Sequence, residues 1–98
     1  MEKKAIKPTT VETDQLKEPV INMEYCSSWG YSSKFVKVKE LILMSYPKAK
    51  ITGGYAKQSG AFEVTVNDVL VHSKLKGDGL VNISNPDEFI MKIKKVVE

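Results

Sequence analysis

Apolar and polar residues alternate from Val20 to Tyr25, with Ile21, Met23 and Tyr25 on one side and Asn22 and Glu24 on the other. That two-residue period predicts a strand with one dry face and one wetter face. The period then changes. Tyr31, Phe35, Val38 and Ile42 lie at i, i+4, i+7 and i+11, an apolar stripe that predicts a helix over roughly 31–46. Lys34, Lys37 and Lys39 sit off the stripe, and Pro47 stops the helix. A brief second strand is expected over 50–53, broken by the Gly53-Gly54 pair. Phe62, Val64 and Val66 alternate with Glu63 and Thr65, and Val69 to Ser73 returns after Asn67-Asp68, a pair that tolerates positive φ. Residues 61–73 therefore read as a hairpin. Asn85-Pro86-Asp87-Glu88 predicts a helix start, with Asn85 as the cap, Pro86 at the first helical position and two acids against the positive dipole end. Phe89, Ile93, Val96 and Val97 form the buried stripe of that helix.

The predicted order is β-α-β-β-β-α. The first β-α-β unit implies a parallel pair and the hairpin adds antiparallel strands, so the sheet is mixed and four-stranded. Strands covered on both faces would read as near-continuous apolar runs, which these do not. Both helices are therefore expected on one face of the sheet, leaving the other largely open. The fold class is α/β, an α+β two-layer sandwich. Residues 1–18, mostly Lys, Glu, Thr and Asp with no sustained period, are expected as a flexible tail, and residues 19–98 as the folded domain.

A chain of 98 residues holds one domain with one modest core. Its longest apolar run is Leu41 to Met44, too short to span a bilayer, and no apolar segment follows the opening Met-Glu-Lys-Lys. The expected location is the cytoplasm. The net charge is +3 and all 15 basic residues are Lys. Without Arg, the bidentate reader of phosphates and guanine edges, a sequence-specific nucleic-acid binder is disfavoured. With one Cys and one His, a metal site is disfavoured too, and His72, in a strand beside Ser73, is expected to be structural. The Lys76-Gly77-Asp78-Gly79 loop lacks phosphate-loop spacing and is expected to set a turn.

The single cysteine, Cys26, cannot form an intramolecular disulfide. It falls between the first strand and the first helix, where unpaired N–H groups and the dipole favour thiolate, the reactive form. Its loop position beside Ser27 and Ser28 argues against a packed, inert thiol. A cysteine at the strand–helix junction of a β-α-β unit is also where thioredoxin-like proteins keep a Cys-x-x-Cys pair. Here Trp29 occupies the fourth position.

Tyr25-Cys26-Ser27-Ser28-Trp29-Gly30-Tyr31 resembles the selenoprotein W signature, Tyr-Cys-x-x-Sec-Gly-Tyr, in which Cys replaces Sec in some members. Gly60-Ala61-Phe62-Glu63-Val64 is similar to the family's Gly-Phe-Phe-Glu-Val segment, and His72-Ser73-Lys74-Leu75-Lys76-Gly77-Asp78-Gly79 to its His-Ser-Lys-x-Lys-Gly-Asp-Gly stretch. The likeness runs from about Val20 to the C-terminus. It implies a thioredoxin-like fold and a glutathione-linked antioxidant role, with binding of 14-3-3 proteins in some members. By that resemblance Cys26 is the redox thiol and Trp29 stands where selenium or a second sulfur belongs. Indole can neither attack a disulfide nor resolve one. Trp29 can be natural, an engineered replacement, or the product of a UGA codon read as Trp. Ser27 and Ser28 beside the thiol, and Ser59 and Gly60 just before the third strand, are the candidate substrate-binding residues. Thioredoxins place a cis-proline before that strand, and none closely precedes Phe62.

Two functions follow. The first is a monothiol redox protein acting on peroxide or a protein thiol or disulfide, with glutathione as reductant and no bound cofactor, working as a monomer and weakened by Trp29. The second is a non-catalytic interaction module that uses the Cys26–Trp29 loop.

Overall fold

The computed structural model of the chain describes residues 16–28 and 30–98; Trp29 and most of the tail expected over 1–18 lie outside them. The elements are β1 (Val20–Tyr25), α1 (Tyr31–Ser45), β2 (Lys50–Tyr55), β3 (Phe62–Val66), β4 (Val69–Ser73) and α2 (Asp87–Val97). The sheet order is β2-β1-β3-β4. β1 pairs parallel with β2 and antiparallel with β3, and β4 pairs antiparallel with β3 through a bulge between Val64 and Thr65. The mixed sheet and the element order are those the alternation predicts.

The period-two positions face one core. Ile21, Met23 and Tyr25 of β1 and Phe62, Val64 and Val66 of β3 are buried together with Tyr31, Val38 and Ile42 of α1 and Phe89 and Ile93 of α2. Each such side chain contributes about 1.5–3 kcal/mol when taken fully out of water. The intervening residues Val20 and Glu24 are exposed and Asn22, Glu63 and Thr65 half-buried. Both helices thus cover one face and the other stays open. Among the described residues, no helix is long and apolar enough to cross a membrane.

α1 ends as expected before Pro47. Tyr46, buried, closes it by donating its N–H to the Ile42 carbonyl at 2.8 Å. The hairpin turn has positive φ at both Asn67 (49°) and Asp68 (70°). Both values match the primed turn whose twist suits adjoining strands. Asn67 also ties the turn to β1: its N–H donates to the Val20 carbonyl at 2.8 Å and its Oδ1 accepts the Val20 N–H at 2.9 Å.

Two boundaries differ from expectation. β2 does not stop at the Gly53-Gly54 pair; it runs through both to Tyr55, in register with Met23, Glu24 and Tyr25 of β1. The glycines mark a close approach rather than a break. A Cβ on Gly53 would meet the Phe35 ring at 2.5 Å, so only a bare backbone lets α1 lie this close to β2. The second difference is at α2. Asn85 supplies no side-chain cap; the Ile90 N–H bonds the Pro86 carbonyl, so Pro86 holds the boundary. The preceding turn is held by Asn82, whose Oδ1 accepts the N–H groups of Ser84 and Asn85, both at 3.1 Å.

At the far end of the hairpin the Glu63 carboxylate gathers the loop after β4. It accepts the Ser73 hydroxyl and the N–H groups of Leu75 and Phe62. Asp78 accepts the Ser73 N–H at 2.9 Å, which holds its carboxyl below the usual carboxylate range. His72 is buried, with Nε2 at 2.7 Å from the Gly79 carbonyl and its ring edge-on to Phe89. The Lys-Gly-Asp-Gly stretch thus forms a turn and His72 a structural anchor, as their sequence context suggests.

Candidate thiol site

β1 occupies the point where the sheet order reverses, its chain leaving to β2 on one side while β3 lies on the other. In open α/β sheets the crevice outside the carboxyl end of such a strand is where sites form. Cys26 is the residue at that end. Its N–H donates to the Ala61 carbonyl at 2.9 Å, extending the β1–β3 ladder, and the Ala56 N–H bonds the Tyr25 carbonyl at 2.8 Å on the β2 side. The backbone that carries the thiol is therefore held from both flanks. Below it, Tyr31 at the first turn of α1 packs edge-on against Phe62, with ring centres 6.1 Å apart.

The sulfur is surrounded by donors. Ser28 Oγ lies 3.4 Å from Cys26 Sγ. The thiol sits below its ordinary range for three main reasons: the Ser28 hydroxyl, then the Gly60 N–H, then the Ser28 N–H, each bonding the charged form. Burial opposes them, and the Lys74 charge adds a smaller favourable effect. Gly60 turns its amide toward the sulfur with φ 77°, a conformation costly for any residue with a Cβ.

The residues expected at the site divide unevenly. Gly60 meets Cys26 directly, as the element order suggests. Ser28 contributes both its hydroxyl and its amide. Ser27 and Ser59 are exposed and take no part in these bonds. Trp29 lies outside the described residues. Cys26 itself is less open than its loop position suggests: it is only 4% exposed, because the bond to Ala61 draws it under the segment before β3. That segment has no proline, and no cis peptide bond occurs among the described residues; the Gly60 amide faces the thiol instead, and the Ala61 carbonyl accepts the Cys26 N–H. Sequence reasoning misses the role of Lys74. The signal was the hairpin register: Ser73 opposite Glu63 brings the end of β4 back beside the start of β3, and hence beside Gly60.

Comparison with known proteins agrees with this architecture. The model of the Rdx family matches residues 20–95. Selenoprotein W of Danio rerio is 40% identical over 80 residues, covering 80% of this chain and 90% of that protein. Selenoprotein V of Homo sapiens is 32% identical over 84 residues, which are 84% of this chain and 24% of that longer protein. In three dimensions, a selenoprotein W-related protein from Vibrio cholerae superposes with a TM-score of 0.70 at 12% identity, covering 84% of this chain and all of that one. That likeness shows a shared thioredoxin-like fold. With the family model spanning β1 through nearly all of α2, the chain belongs to the Rdx family, alongside selenoprotein W.

Proposed function

We propose that the protein is a monothiol redox protein in which Cys26 is the reacting group. The observation that carries this reading is the sulfur's position at the end of the central strand, within reach of the Ser28 hydroxyl and the Gly60 amide, which hold it toward thiolate. With peroxide, the thiolate attacks one oxygen, the O–O bond breaks, and Cys26 becomes a sulfenic acid as hydroxide leaves. An external thiol such as glutathione then condenses with the sulfenic acid, releasing water and forming a mixed disulfide. A second external thiol attacks its own kind in that bond and frees Cys26. With a disulfide substrate the mixed disulfide forms directly.

Resemblance sets Trp29 at the Sec or second-Cys position, and an indole cannot resolve the mixed disulfide. Every cycle then depends on a second molecule, and turnover is slow. The test follows the alkylation rate of Cys26 against pH, then compares glutathione-linked peroxide turnover with that of Trp29→Cys. A depressed thiol pKa, with turnover gained in Trp29→Cys, is the expected result. An ordinary pKa with no gain overturns the reading and leaves a fold kept for binding.

A further inference from the structure

On the open face of the sheet, beside the thiol, lies a groove of about 500 Å3 lined by Glu24, Tyr55, Lys57, Ala61, Glu63 and Leu75 among others. It shares a wall with the thiol site. Gly60 donates to Cys26 Sγ, and the next residue, Ala61, both bonds the Cys26 N–H and lines the groove. Leu75, about half exposed, offers apolar surface to it, whereas the Tyr55 ring lies edge-on to Tyr25 on the helix side of the sheet.

The groove's charge is lopsided. Glu24 of β1 stands directly opposite Glu63 of β3, both on the open face. Like charges in such cross-strand register repel. Glu63 is occupied by Ser73, Leu75 and Phe62, whereas the Glu24 carboxylate makes no side-chain hydrogen bond or ion pair among the described residues. Among the described lining residues, Lys57 is the one cation against these two carboxylates. A positively charged group entering the groove would relieve the repulsion.

We propose that this groove docks an extended basic peptide segment whose disulfide is the substrate of Cys26, with Glu24 reading the positive charge. The proposal rests on Cys26 being the reactive thiol. Leu75 grips the peptide's apolar part, and its cysteine crosses the Gly60–Ala61 segment to reach the sulfur. The thiolate attacks one sulfur of the peptide disulfide, a Cys26–peptide disulfide forms, and the old S–S bond leaves its electron pair on the departing thiolate.

The test uses the full chain, whose single cysteine makes the signal unambiguous. Two peptides, identical except for Lys or Glu flanking their cysteine, are activated as thiopyridyl disulfides, and release of thiopyridone is followed at low salt. The Lys peptide is expected to react about two- to fivefold faster than the Glu peptide, the range of a solvent-exposed charge pair. Added salt and Glu24→Gln should each bring that ratio toward one. Equal rates in the unsubstituted protein, or a ratio unchanged by Glu24→Gln, overturn the proposal. The small neutral reagent dithiodipyridine separates the two readings. If it reacts no faster than with free cysteine, the reading of Cys26 fails and this one with it; if it reacts fast while the peptides show no preference, the groove alone is refuted.

Discussion

The ring of Phe35 lies directly over the backbone of Gly53, with Cζ 2.5 Å from where a Cβ would stand. The same ring stacks on Tyr25 at 5.0 Å between centres, so it is held from a second side. It has little room to yield to an added methyl group. Gly53→Ala is therefore expected to destabilise the fold by about 1–3 kcal/mol through overpacking. Gly54→Ala is the control: nothing lies within 4 Å of its Cβ position, and its effect should stay within about 0.5 kcal/mol. Urea midpoints of the two variants check this. Adding Phe35→Leu to Gly53→Ala should recover part of the loss.

Ser28 is the largest single influence on the Cys26 thiol. Ser28→Ala removes a donor to the charged form, so the thiol pKa should rise and alkylation at neutral pH should slow. Ser28→Thr keeps the hydroxyl and should restore most of the rate. Stability carries the same sign. Because the folded pKa is depressed, the thiolate's contribution is present above the unfolded cysteine pKa and is lost as pH falls through the folded one. Cys26→Ala should flatten that stretch of the stability–pH curve, measured by thermal melts.

Asp78 governs the acid side. Its carboxyl is lowered first by the Ser73 N–H, so the unfolded chain takes up a proton more readily than the folded one. Its stabilising effect is present above the ordinary aspartate pKa and is lost as pH falls through the depressed value. Asp78→Asn should make the protein less stable near neutrality, and the difference should shrink as pH falls through the depressed value. Denaturation at stepped pH reads the difference directly.

Asn67 combines a backbone role with a side-chain role. Asn67→Gly keeps positive φ and loses the Oδ1 bond to Val20, at an expected cost of about 0.5–1.5 kcal/mol. Asn67→Ala loses the bond and adds left-handed strain of about 1–2 kcal/mol. In both variants the Val20 amide should exchange faster with solvent, a change visible by NMR.

Features legible in the sequence are those set by residues close together in the chain. The alternation around Met23 and Val64 and the stripe from Tyr31 to Ile42 each fall within a single element, and each element forms where its period indicates. The strand–loop–helix place of Cys26 is legible for the same reason. The course of β2 is not, because a Gly-Gly pair usually punctuates and its reason for staying extended is Phe35, a residue of another element. The cap of α2 is misread because Asn82 takes up the turn that Asn85 would otherwise organise. The burial of Cys26 and the influence of Lys74 both depend on the hairpin folding back onto β1, which no local pattern encodes.

The sulfur's donors come from opposite ends of the fold's assembly. Ser28 is a near neighbour in the chain, but Gly60 and Lys74 arrive only when β3 and β4 have docked. A nascent or unfolded chain therefore carries an ordinary cysteine, slow to react at neutral pH. The share of activation owed to Gly60 and Lys74 is acquired with long-range pairing, so the thiol's own chemistry keeps time with folding: its reactivity should change when the β1–β3 ladder closes during refolding.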